Sequence, residues 1–177
     1  MAILVNIFVI PKSSVYFCIK ETGMENTEKT CWFAATIRNG QYQKIGHRLT
    51  ELRVNYYVPA AFRTLLFLQT TKSMALTLVN SGEIGARYII DHHTHTLMVV
   101  PEKQMTDFMK VMDLSPDAEC MTAVPLVKGG RVRVVKGALS GVEGDIVEVG
   151  DGLYLIVSVC SLMCAKVEIP KSYVVPV

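Results

Sequence analysis

From residue 127 onward the apolar pattern changes period, and that change limits the possible folds more than any other feature. Arg131-Val132-Arg133-Val134-Val135 mostly alternates polar with apolar, and Asp145-Ile146-Val147-Glu148-Val149 alternates again. Such alternation is the mark of a strand with one face buried. Gly137, Gly141 and Gly144 punctuate the turns, and Asp151-Gly152 before residues 153–159 is a hairpin signal. Lys166-Val167-Glu168-Ile169 and Val174-Val175 bring the total to about five strands in fifty residues. A unit so small buries its apolar face only by curling on itself, so an all-β barrel is expected over residues 127–177.

Upstream the periodicity is mixed. Cys31-Trp32-Phe33-Ala34-Ala35-Thr36-Ile37 is an apolar, aromatic and β-branched run closed by Asn39-Gly40, which predicts a buried strand and a turn. Tyr42, Ile45, Leu49 and Leu52 then recur at three- and four-residue spacing and predict a helix over residues 41–52. Strands are expected at residues 56–58, where Pro59 stops the run, and at residues 65–68. A short helix is expected over residues 73–79, capped by Ser73 or Thr71. Residues 87–90 and 97–100 read as two more strands around the polar stretch 91–96. Pro101 opens a last helix with Met105, Phe108, Met109 and Met112 on its apolar face. This order predicts an α/β sandwich, a sheet flanked by helices, over residues 31–112. Residues 113–126 begin acidic, carry Pro116 and show no apolar period at first, so they are expected to be a linker.

Bulk composition narrows the class. Half of the 177 residues are hydrophobic and 19% are charged, enough apolar material for packed cores and too much for global disorder. A net charge of +2 gives no whole-molecule argument for nucleic acid, so any such argument must be local. The cysteines (18, 31, 120, 160 and 164) are odd in number and form no CxxC pair, which suits reduced thiols in a cytoplasmic protein. Residues 1–10 are nearly all apolar, but the first basic residue, Lys12, follows the run, where a secretory signal has it before. The run is also too short to span a bilayer. Residues 1–30 are expected to be a leader, with Met24 as an alternative translation start.

The segment from Gly130 to Gly144 resembles a KOW motif: a basic alternating strand (Arg131, Arg133, Lys136), Gly137, a hydrophobic pair, then Gly141-x-x-Gly144. Upstream, Trp32-Phe33, the helix at 41–52, Tyr57-Val58-Pro59, the strand at 65–68 and Val99-Val100-Pro101 follow in order the N-terminal domain of the NusG family. The resemblance covers roughly residues 31–177 and is closest to the UpxY-type antiterminators that act on polysaccharide operons. It implies a NusG N-terminal-like domain joined to an SH3-like KOW barrel. The implied activity is to bind the β′ clamp helices of RNA polymerase and suppress pausing or termination. The barrel would recruit Rho or a ribosomal small-subunit protein, and the protein would be a cytoplasmic monomer without a membrane segment. Two places depart from the family. Phe62-Arg63-Thr64-Leu65 stands for Phe-Pro-x-Tyr, and Ser161-Leu162-Met163-Cys164-Ala165 stands for a Phe-Gly-Arg element.

Carried over by position, Phe62, Leu65, Tyr88 and Val100 are the candidates for polymerase contact; as strand residues they are equally suited to a sheet core. Arg38, Lys44, Arg48, Arg53 and Arg63, opposed over that stretch only by Glu51, form a candidate strip for non-template DNA, against the plainer account of a solvated helix face. His92, His93 and His95 lack a matching cysteine or carboxylate cluster, so no metal and no cofactor is expected. Without a phosphate loop, HExxH or GxSxG, an enzyme is not expected. The alternative function is a KOW-containing ribosome- or RNA-binding protein, with Arg131, Arg133 and Lys136 on phosphates.

Overall fold

The computed structural model describes residues 28–122 and 129–177. The expected leader, its alternative start at Met24 and Cys18 fall outside the described residues, apart from 28–30, and so do residues 123–128 of the expected linker and barrel start. The described residues are mixed α/β, with two antiparallel sheets and three α-helices.

The first sheet has the order β2-β3-β1-β4, from β1 (Cys31–Ile37), β2 (Asn55–Tyr57), β3 (Leu65–Thr70) and β4 (Ala86–Tyr88). A fifth strand, β5 (Val99–Val100), also pairs with β1. The runs at 87–90 and 97–100 do not lie side by side as full strands. They follow one line along the free edge of β1: Ala35 faces Tyr88, and further along Trp32 faces Val100. Between them the chain leaves the sheet in an excursion closed by the Ile90–Leu97 bridge and by the Met98 N–H donating to the Ile89 carbonyl at 2.8 Å. The histidines ride on this excursion.

Side-chain alternation along β1 separates two cores. Ala35 and Ile37 face helices α1 (Tyr42–Glu51) and α2 (Lys72–Asn80), which supply Ile45, Leu49 and Leu78. Helix α1 comes close because Gly46 has no side chain; a Cβ there would meet the Tyr56 hydroxyl at 2.7 Å. Trp32 and Ala34 face the other way, toward α3 (Glu102–Leu114) with Met105, Phe108 and Val111. Helix α2 is capped as expected by Thr71, whose hydroxyl accepts from the Met74 N–H at 3.3 Å. Glu28 adds bonds to the Ser73 N–H and hydroxyl at that end.

The second sheet runs β11-β7-β8-β9-β10-β6, from β6 (Glu119–Met121), β7 (Arg131–Val134), β8 (Glu143–Val149), β9 (Gly152–Val159), β10 (Met163–Glu168) and β11 (Val174–Pro176). The all-β expectation for this part holds with five strands, β7 to β11, and β6 from the segment expected as linker adds a sixth to the sheet. Part of the segment expected as linker is regular structure: α3 continues to Leu114, and β6 joins the sheet with Cys120 opposite Ala165. β11 is an edge strand. The Val177 N–H donates to the Arg131 carbonyl and the Val135 N–H to the Tyr173 carbonyl, so by alternation Pro176 faces outward.

The two sheets meet on α3. Buried Asp107, 5% exposed, accepts from the Lys103 ammonium at 2.6 and 2.7 Å and from the Glu143 N–H at 3.0 Å. Lys103 also donates to the Gly141 carbonyl at 2.8 Å and Lys110 to the Ser140 carbonyl at 2.6 Å, while Gln104 accepts from the Cys160 N–H at 3.0 Å. Trp32, Tyr57, Phe67 and Phe108 therefore share one apolar cluster with Val132, Leu155 and Val167. The expected apolar face of α3 packs on this cluster, Met105 and Phe108 buried and Met109 and Met112 half-buried, and Asp107 and Val111 are buried beside it because the helix serves two layers.

Candidate nucleic-acid interface

The basic residues gathered from the sequence are not equivalent once folded. Arg48 is engaged on both sides: one guanidinium nitrogen lies 2.8 Å from Glu51 and the other 3.1 Å from Glu83. The Glu51 hydrogen bond and then the Glu83 charge hold the Arg48 pKa above its ordinary value. Arg63 lies over the Tyr42 ring, 5.0 Å from its centroid, and donates to the Tyr42 hydroxyl at 3.1 Å. That stacking keeps its charge while fixing its position. Lys44 is exposed on the first turn of α1.

Arg53 has a structural task. It sits at φ +57, the left-handed position just past α1. Its N–H bonds the Thr50 carbonyl at 3.1 Å, and the Val54 N–H bonds the Leu49 carbonyl at 2.9 Å. This pair of bonds is a Schellman stop, which usually carries glycine.

Arg38 follows β1 and lines an open cleft of about 360 Å³ together with Gln41, Gly85, Ala86 and Arg87. Among the described residues no carboxylate lines it. On β4 the sequence points to Tyr88 and not to Arg87. Alternation along that strand was the available signal, since Arg87 is exposed between buried Ala86 and half-buried Tyr88.

The polymerase candidates do not form one surface. Phe62 and Leu65 are half-buried and pack on the α3-side cluster, and Val100, 1% exposed, belongs to that core. Tyr88 packs on the opposite face, against the cluster of α1 and α2 and edge-on to Phe33 at 6.2 Å. Its hydroxyl is buried with no hydrogen-bond partner among the described residues, and burial pushes its pKa up to about 12.

In the second sheet Arg131 and Arg133 both reach Glu143, at 3.4 and 2.8 Å. The Arg133 hydrogen bond, chiefly, holds the Glu143 carboxyl below its usual range. Lys136 is exposed in the turn. Gly137 and Gly141 adopt φ +77 and +89, which glycine allows at low cost, and a Cβ on Gly144 would strike the Ile156 carbonyl oxygen at 2.5 Å. In the excursion Asp91 accepts from the His93 N–H at 2.8 Å, and that bond is the first cause of its lowered pKa. Among the described residues no three His, Cys, Asp or Glu side chains are grouped to hold a metal ion. No helix among them is long and apolar enough to cross a membrane.

No family model matches the chain, and no curated protein matches it. The functional reading therefore rests on the residues themselves.

Proposed function

We propose that this protein is a NusG-like, UpxY-type transcription antitermination or elongation factor, acting in the cytoplasm by binding RNA polymerase and suppressing pausing or termination. One observation carries the reading. The order β1-α1-β2-β3-α2-β4-β5-α3 is followed by an antiparallel sheet that begins with β6 and continues through the glycine-punctuated segment 130–144. A mixed α/β part followed by an antiparallel sheet supports the family resemblance, and on that resemblance the chain is a NusG N-terminal-like domain joined to an SH3-like KOW barrel.

On this reading the protein changes the behaviour of the enzyme it docks on and makes or breaks no bond itself. An apolar surface that includes Phe62 and Leu65 meets the β′ clamp helices. The basic end of the first sheet, with Arg38, Lys44 and Arg63, lies beside the displaced non-template strand, where its charge is felt over about 10 Å at moderate salt. The second unit recruits a further partner, Rho or a ribosomal small-subunit protein. The ribosome- or RNA-binding alternative is less well supported, because Arg131 and Arg133 are already paired with Glu143. The test is affinity purification of the tagged full chain at moderate salt. Core polymerase is the expected companion; ribosomes without polymerase would overturn the reading.

A further inference from the structure

We draw no further inference here: the strongest candidate, the exposed apolar patch of Val135, Tyr173, Val175 and Val177 at the β7–β11 edge of the second sheet, carries nothing because no feature among the described residues shows what covers it.

Discussion

Tyr88 shows how far a single residue can be read before folding. Its aromatic character marked it as an interface anchor or as core, and the structure places its ring edge-on to Phe33 with the hydroxyl buried and unpartnered. Burial disfavours the phenolate, so the folded pKa of about 12 lies above the ordinary value near 10. The folded state then holds its proton where the unfolded state releases it. Stability from this group is complete below pH 10 and is lost as pH rises toward 12. Tyr88→Phe should remove that loss, so the two proteins' unfolding free energies diverge by on the order of 2 kcal/mol between pH 10 and 12. Denaturant titration across that range measures the difference; parallel curves would count against the buried hydroxyl. Charge was less legible than aromaticity. The sequence shows five basic residues near α1, but only folding brings Glu83 to Arg48, thirty-five positions away, or lines one cleft with both Arg38 and Arg87.

The elements were legible where the apolar period was long, and less so where a partner element decided the outcome. Helix α1 was readable from Tyr42, Ile45 and Leu49, and α3 from Pro101 with Met105 and Phe108. Strand β6 was not, because three residues carry too little pattern and it exists through its pairing with β10. The end of α1 was hidden for another reason: an arginine occupies the left-handed position where glycine is the usual signal. L-residues lose about 1–2 kcal/mol in that conformation, partly offset because glycine has more freedom to lose on folding. Arg53→Gly should therefore stabilise the fold by about 0.5–1 kcal/mol, read as a rise in the chemical-denaturation midpoint with an unchanged slope. A lower midpoint would mean that the arginine side chain contributes something the backbone geometry does not reveal.

At the scale of the whole molecule, α3 is shared between two layers, and Asp107 is the polar centre of the junction. The sequence of residues 113–126 reads as a linker. No local pattern announces that Lys103, Gln104 and Lys110 will meet carbonyls and an N–H thirty or more residues away. Asp107→Ala leaves the Glu143 N–H and the Lys103 ammonium without their acceptor, a loss of about 2 kcal/mol. Since one apolar cluster spans both sheets, the wild-type chain should melt in a single transition. The variant should melt lower, with faster hydrogen exchange at Gly141 to Glu143 than along β3. Two resolved transitions in the wild-type protein would show that the layers are thermodynamically separate.

The outward-facing Pro176 of β11 has a consequence for behaviour in concentrated solution. A bare strand edge is a template on which another copy can lay its own backbone, and a run of free donors is what makes the template work. With a pyrrolidine ring where the next outward N–H would stand, an arriving strand finds an interrupted ladder and a steric bump. The described sheet therefore ends at β11, and pairing of a second copy along this edge is disfavoured.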